Sequence, residues 1–535
     1  MKLRFLARWL AVAALFLSAA SAHAYDFMSG GIYYNVLSEE DRTVEVTRRE
    51  SSGSYSGSII IPERVLHEGK TYTVMSIGYR AFYDCDALTS VTFPASLTSI
   101  GDEAFRGCEA LTSVDLSSTS LTSIGDEAFR GCDALTSVDL SSTSLTSIGS
   151  SAFSGCSALT SVDFSSTSLT SIGSSAFSGC SALTSVDLSS TSLTSIESGA
   201  FYNCDALTSV AFPASLMSIG DYAFSGCEAL TSVDLSSTSL TSIGDEAFYN
   251  CDALTSVAFP ASLTSIGDYA FYYCVALTSV DLSSTSLTSI WDGAFYNCDA
   301  LTSVAFSASL MSIGDNAFYN CDALTSVSFP ASLTSIGYYA FSGCEALTNL
   351  TVDESNPAFA SRDNVLYSKS LDTLVCYPAG LGKEVVIPEM VRSVREDAFP
   401  GEVSTVYCQP QTPPTAVDGY FQNMFSSDEL MNAVLYVPVG TKAAYMQVDP
   451  WRNFWNVEEM DFATVGIDGV AAQGVPSVTV RGGAIVVEGA AATDVVEVFA
   501  ADGRCAYRGA SATISHLPGG IYVVRVGKHV QKVAL

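Results

Sequence analysis

The chain has 535 residues with 24 Lys and Arg against 56 Asp and Glu, a formal net charge of −32 and 48% hydrophobic residues. A surface this acidic repels nucleic acid and anionic lipid, which argues against either as a partner. Only four residues are His, so the side chain most used for acid–base chemistry near neutrality is almost missing.

Residues 1–24 read as a secretory signal peptide. Lys2, Arg4 and Arg8 form the charged start, Leu10 to Leu17 the apolar middle, and Ala22-His23-Ala24 a small-residue cleavage motif, with cleavage expected between Ala24 and Tyr25. The apolar middle is too short to span a bilayer and no later stretch reaches ~18 consecutive apolar residues, so no transmembrane segment is expected. With no cysteine ahead of Cys85, a lipoprotein anchor at the new N-terminus is not expected either. Residues 25–75 read as an N-terminal cap: Ile32 to Val36 and Thr43 to Val46 alternate as strands do, and Ser58-Ile59-Ile60-Ile61-Pro62 opens a first, irregular coil.

From residue 76 to residue 350 one short sentence is repeated every 23 or 24 residues. Cys85, Cys108, Cys132, Cys156, Cys180, Cys204, Cys227, Cys251, Cys274, Cys298, Cys321 and Cys344 share one phase. A typical copy reads C-D-A-L-T-S-V-D-L-S-S-T-S-L-T-S-I-G-D-E-A-F-R-G-C. A second version replaces D-L-S-S-T-S-L with A-F-P-A-S-L, one residue shorter, and accounts for the two spacings. In L-T-S-V-D-L the Val and the second Leu share one face of an extended strand while Ser and Asp take the other. In S-L-T-S-I a second short run turns Leu and Ile inward, and A-F-x-x-C reads as a helical or 3₁₀ turn that closes the coil. One such coil cannot bury its apolar side alone, so stability comes from stacked neighbours.

These copies resemble the BspA-type leucine-rich repeats of bacterial surface proteins. The resemblance implies a fold and a use. The fold is a β-rich solenoid, a leucine-rich repeat right-handed coil stack with short helical or 3₁₀ turns. The use is adhesion to host matrix proteins and to other microbes.

Between residues 351 and 462 the repeats loosen into divergent coils and a C-terminal cap. Its aromatic residues Tyr445, Trp451, Phe454 and Trp455 either plug the end of the core or form a ligand-stacking site. Residues 467–535 change character. Pro476 to Val480, Ala484 to Val487 and Val495 to Phe499 read as strands, Asp502-Gly503 as a hairpin turn and Gly520 to Val526 as a last strong strand, together a small β-sandwich. The ending L-P-G-G-I-Y-V-V-R-V-G-K-H-V-Q-K-V-A-L is similar to the C-terminal sorting domain of the type IX secretion pathway. That similarity implies passage across the outer membrane by way of the secretion machinery, and display at the bacterial outer-membrane surface or release.

Chemistry is hard to place on this chain. His23 leaves with the signal, and His67, His516 and His529 lie in the cap and the tail. Catalysis needs unlike groups converging on one point, whereas a repeated coil makes rows of one side chain, so neither a catalytic residue nor a cofactor is expected and the chain does not read as an enzyme. The twelve in-phase cysteines are buried thiols, neighbour disulfides or, least readily, metal ligands. An odd total of 15 leaves at least one thiol unpaired within a monomer. Asp115, Asp139, Asp163 and Asp187 fall at the outward strand position of four consecutive coils, about 5 Å apart, either as a solvated row or as a weak cation site. Tyr249, Tyr272, Tyr296 and Tyr319 follow the inward Phe in four consecutive coils where other copies carry Arg or Ser, with Tyr269 and Tyr273 beside them. Tyr is enriched at binding surfaces, so this row is the expected ligand-binding strip, long enough for a peptide or several sugar rings. Neutral drift of surface residues is the alternative. The chain therefore reads as a secreted cell-surface adhesin or interaction scaffold for host matrix or microbial surface proteins or glycans, and otherwise as a structural spacer or surface-layer component with no specific ligand.

Overall fold

The structure, a computed structural model, describes residues 25–48, 55–141, 143–165, 167–399, 402–417 and 424–465. In the tail it describes 477–481, 484–488, 495–500, 504–509, 513–515, 517–518, 521–526 and 529–534. The expected signal peptide with Ala24, and the Asp502-Gly503 turn, lie outside these residues. The chain divides into two compact units. One comprises Met1–Ser370, Val375–Leu381 and Asp397–Gly401; the other comprises Leu371–Leu374, Gly382–Glu396 and Glu402–Leu535.

The first unit starts with a small sheet that templates everything after it. Phe27–Ser29, Ile32–Ser38 and Thr43–Thr47 pair antiparallel, and Thr43–Thr47 then pairs in parallel with Lys70–Ile77. Tyr34, Val44, Val46, Tyr72 and Val74 are sealed beneath it. The last two residues of that strand, Ser76 and Ile77, pair in parallel with Ser99 and Ile100. From there each copy adds one two-residue Ser-Ile strand, as far as Ser335–Ile336, to a 16-stranded sheet.

Each coil is held to the next by ladders of identical groups. The Thr of L-T-S-V and the Thr of L-T-S-I direct both the backbone N–H and the hydroxyl at the same carbonyl one coil back. Thr136 N and Oγ1 lie 2.9 and 3.0 Å from Thr112 O, and Thr146 N and Oγ1 lie 2.9 and 3.0 Å from Thr122 O. Inside, Phe82 through Phe341 form an unbroken stack with ring centroids 4.7–5.4 Å apart and planes within 11° of parallel. Burying one such ring stabilises by about 1.5–3 kcal/mol. No coil could gain this alone.

The cysteine ladder lies against the phenylalanines. From Cys108 to Cys344 every Sγ donates to the carbonyl of a Phe in the coil before, at 3.1–3.3 Å. All of these are free, buried thiols. Burial pushes Cys204 up to about 12 and raises its neighbours, so the reactive thiolate is suppressed and the side chain serves as a small apolar filler with one weak donor.

The turn expected at A-F-x-x-C forms without becoming a helix. Arg106 N bonds Glu103 O and Cys108 N bonds Phe105 O, which is i→i+3 pairing. Glu103 and Gly107 nevertheless have φ of +52° and +72°, and left-handed residues stop a helix from propagating. The two repeat versions differ in how they close the outer corner. In the long one a buried Thr folds back on the Leu three residues earlier, as Thr119 Oγ1 does on Leu116 O at 2.7 Å. In the short one a Ser reaches the previous coil instead, as Ser262 Oγ does on Leu240 O at 2.7 Å.

In the second unit Glu384–Ile387, Thr405–Cys408, Val434–Pro438 and Asn456–Met460 form a parallel sheet. Helix Ser427–Asn432 is fixed by a capping box between Ser426 and Glu429, whose second oxygen accepts from Val403 N at 2.7 Å. Of the four aromatic residues noted above, Tyr445, Trp451 and Phe454 are buried with Phe425. Tyr445 donates to Pro410 O at 2.6 Å and Trp451 to Pro414 O at 2.7 Å. These three plug a core. Trp455 is 75% exposed and does not. In the tail, sheet Ser477–Arg481, Ala484–Glu488, Thr513–Ile514 and sheet Cys505–Gly509, Val496–Ala500, Ile521–Val526, His529–Ala534 share a core of Ile485, Val487, Val496, Val498, Ile514, Tyr522 and Val524. Ile521–Val526 is therefore not the last strand. His529–Ala534 follows it antiparallel as an edge, and the polar residues in that segment suit an edge position.

Close stacking explains the glycine that follows the Ser-Ile strand. A Cβ on Gly149 would sit 2.5 Å from Gly125 C and 2.6 Å from Asp126 N, while a Cβ on Gly131 would meet nothing within 4 Å and Gly131 is merely left-handed at φ +69°. Gly131→Ala should cost about 1 kcal/mol through backbone strain alone, whereas Gly149→Ala must also push two backbones apart and should cost about 2–3 kcal/mol. Urea midpoints and limited proteolysis would show it: equal shifts for the two variants would mean that coil contact does not select this glycine.

Candidate binding surface

The turns that close each coil carry three outward rows. The first is the Asp one residue after the stacking position, which is Gly in every coil of this row except that of Asp292, where it is Trp291. Asp102, Asp126, Asp221, Asp245, Asp268, Asp292 and Asp315 each point Oδ1 at a backbone N–H of the next coil, at 2.7–3.0 Å. This ladder satisfies donors that the sheets leave open. The sequence reading missed it because it weighed the other Asp row; the recurrence of Asp after Gly was its signal. Packing these carboxylates coil upon coil has a cost, and burial, with Asp245 and Asp292 alongside, raises Asp268 above the usual carboxylate range.

The second row, one residue later, is left-handed throughout. Glu103, Glu127, Ser151, Ser175, Tyr222, Glu246, Tyr269, Asn316 and Tyr339 have φ between +52° and +58°. Two coils depart from the pattern. Glu197 and Trp291 stand where the others have the stacking glycine, and a glycine, Gly199 or Gly293, appears two residues later at the left-handed position. Gly293 also leaves the space that the Tyr269 ring fills, since a Cβ there would sit 2.3 Å from that ring. Trp291 is 52% exposed.

The third row follows the inward Phe, and here the structure brings the expected residues together. Tyr249, Tyr272, Tyr296 and Tyr319 stack in order with centroids 5.1, 4.8 and 4.6 Å apart. Tyr269 and Tyr273 meet Tyr272 edge to face at 5.5 and 4.6 Å. Tyr272, half-buried among them, is pushed up to about 12 by burial and then by its tyrosine neighbours. Tyr269 and Tyr273 are exposed and both left-handed, at φ +54° and +59°, which is uncommon for a bulky residue. Inside the stack the ring faces are turned to one another, so the row presents ring edges and hydroxyls, with the Asp row and Glu246 on the same turns. Tyr222, absent from the sequence reading, joins it by donating to Glu246 at 2.9 Å.

At the N-terminal end the same rows hold cations. Arg80 stacks over Tyr79 and Tyr83 at 4.9 and 4.8 Å and makes two 2.8 Å bonds to Glu103. Arg106 bridges Glu103 and Glu127, and Arg130 reaches Glu127 at 3.1 Å. From residue 131 to residue 361 the chain has no Lys, Arg or His.

The opposite strand face carries the proposed cation row, and it is not continuous. Asp139 lies in register with Asp115 and Asp163, but Asp187 pairs with Ala211. Each of the four accepts the N–H of the Ser two residues on, at 2.8–3.0 Å, an Asx turn that caps its own corner. Among the described residues no group of three His, Cys, Asp or Glu could hold a metal ion. The interruption follows Phe164. Where the strand ends in Leu the next coil pairs fully, as after Leu116, Leu140, Leu188, Leu235 and Leu282. Phe164, Phe212 and Phe259 instead pack edge to face on the Phe ladder of the next coil. Pairing is lost after Phe164 and Phe212 and reduced to one residue after Phe259, yet it is complete after Phe329, which packs the same way, so the edge-to-face Phe accompanies the break without sufficing for it. After Phe164 this leaves a concavity of about 470 Å³ lined by Ser137, Asp139, Ser161, Asp163 and Asp187.

The model of the BspA type leucine rich repeat region matches residues 75–192, 170–290 and 264–401. Among solved structures the chain is similar to a leucine-rich repeat protein from Bacteroides ovatus, at 30% identity over 62% of this chain and 89% of that one with a TM-score of 0.47. It is also similar to the pneumococcal vaccine antigen PcpA, at 17% over 82% and 99% with a TM-score of 0.39. A leucine-rich cell surface protein from Faecalibacterium prausnitzii matches at 19% over 83% and 98% with a TM-score of 0.26. No curated protein matches.

The two Asp environments predict opposite pH effects. Asp268, raised in the fold, opposes folding at neutral pH, and its penalty fades as pH falls into the carboxylate range and the folded state takes up the proton first. Asp234, lowered by the side-chain and backbone bonds of Ser236, supports folding above the ordinary carboxylate value, and that support is lost as pH falls through its depressed value. At pH 7 Asp268→Asn, which keeps the acceptor for Asp292 N, should raise the melting temperature by a few degrees, and Asp234→Asn should lower it; both differences should shrink toward pH 3. A drop in both variants would show that the Asp268 ladder stabilises through its charge.

Proposed function

Because the chain belongs to the BspA-type leucine-rich repeat proteins, we propose that it is a secreted cell-surface adhesin or interaction scaffold that binds a protein ligand through the closing turns of coils 220–340. The observation that carries this reading is the tyrosine ladder. A spacer needs only the consensus, whereas these coils replace Arg and Ser at one phase with stacked aromatic residues and hold two more, Tyr269 and Tyr273, in a left-handed conformation that a bulky side chain adopts at a cost. A rigid, self-stacked strip loses little entropy on binding. Rows of one side chain favour extended recognition over catalysis, so the reading is non-enzymatic.

Probing an array of matrix proteins, glycans and bacterial cells with the full chain tests it. A ligand should appear whose binding falls at least ~10-fold, about 1.4 kcal/mol, when Tyr249, Tyr272, Tyr296 and Tyr319 are changed together to Ser. Changing them to Phe, which keeps the stack, separates hydroxyl contacts from loss of the strip. If every binder tolerates the Ser variant, the ladder is not the site.

Delivery to the surface rests on the two ends of the chain. Residues 1–24 supply the signal for the first membrane crossing, and the two-sheet tail serves as the address for the second, as in the type IX sorting domains it resembles. No helix among the described residues is long and apolar enough to cross a membrane. Deleting residues 467–535 should leave the protein periplasmic; surface labelling equal to that of the intact chain would remove the tail from this role.

A further inference from the structure

We infer that the repeat stack is a one-sided hinge, which opens along its Ser-Val strands at five junctions while the other two sides of each coil stay closed. On the Ser-Ile side the pairing has no gap. Both residues of each strand pair with both of the next, from Ser76–Ile77 to Ser335–Ile336. On the turn side every inward Phe from Phe82 to Phe318 donates its N–H to the carbonyl of an Ala in the next coil, at 2.7–2.8 Å. Neither ladder changes with the residue that ends the Ser-Val strand. Coils of a solenoid touch only their neighbours, so each junction holds or yields on its own bonds.

The Ser-Val side is different. Where the strand runs into Leu116, Leu140, Leu188, Leu235 or Leu282, that Leu donates its N–H to the next coil at 2.8–3.1 Å, and the Thr of the next coil donates back at 2.9 Å. After Phe93, Phe164, Phe212, Phe259 and Phe306 the first of these bonds is missing among the described residues, and strand pairing is absent or down to one residue. The returning bond stretches as well. Thr112, Thr184, Thr231, Thr278 and Thr325 place their N–H groups 3.2–3.5 Å from the carbonyls they address, at or beyond the long end of the usual range. After Phe329, where pairing is complete, the Thr348 bond is back to 3.0 Å. Slack therefore follows the lost pairing and not the ring itself. A stack tied on two sides and slack on the third yields by swinging about the tied sides, so the strand face spreads while the turn side keeps its register. The tyrosine row lies on the turn side and holds its spacing as the strand face opens.

Amide hydrogen exchange of the full chain under native conditions, read by mass spectrometry with electron-transfer fragmentation, tests this. The amides of Thr112, Thr184, Thr231, Thr278 and Thr325 should be at least ~10-fold less protected than those of Thr136, Thr160, Thr208, Thr255 and Thr302. At the junction after Phe212, Thr241 and Phe224 bond Met217 and Ala247 across the same two coils at 2.8 Å, and both should keep the higher protection. Equal protection in the two sets of threonines would overturn the inference. Equal loss at Thr231, Thr241 and Phe224 would overturn it too, because the two coils would then part completely instead of hinging.

Discussion

The repeat unit depends on one distance, the separation of neighbouring coils. Parallel two-residue strands set it, and every other ladder has to accept it. Phenylalanine rings at 4.7–5.4 Å can stack, thiols can reach the carbonyl of the coil before, and threonine can aim two donors at one oxygen. Glycine is needed where two backbones meet at that separation with no room for a Cβ. The long and short repeats coexist because each closes its outer corner with its own hydroxyl bond while leaving this spacing unchanged.

A spacing that favours apolar and neutral ladders penalises charged ones. Like carboxylates stacked coil upon coil repel, and the chain handles this in two ways. On the strand face each Asp turns inward on its own loop to accept from a Ser, which lowers Asp187, Asp234 and Asp281. On the turn face the carboxylates accept from the next coil, and there Asp268 is raised. Near the N-terminus arginines interleave with glutamates and neutralise the row. Farther along they are absent, and no Lys, Arg or His occurs from residue 131 to residue 361.

The same separation shapes the tyrosine row. Tyrosines spaced for strand pairing are also spaced for ring stacking, and once stacked they no longer offer their faces. Departures from the consensus are coupled across coils: Gly293 gives Tyr269 its place, and the strand ladder opens after Phe164, ahead of Asp187. A change at one phase is felt one coil away.

The period, the inward Leu, Val, Ile, Phe and Cys, the coil stack and the six tyrosines of the strip were all legible in the residues, because a repeat has to place like atoms over like atoms and so writes its geometry as periodicity. Which of two Asp rows would cap the next coil, where the strand ladder would break, how the tyrosines would spend their faces and that His529–Ala534 would pair as a further strand were decided only by tertiary structure. Those outcomes depend on contacts between one copy and the next, on a Cβ meeting a backbone atom or a strand losing its partner. Periodicity read within a single copy does not contain them.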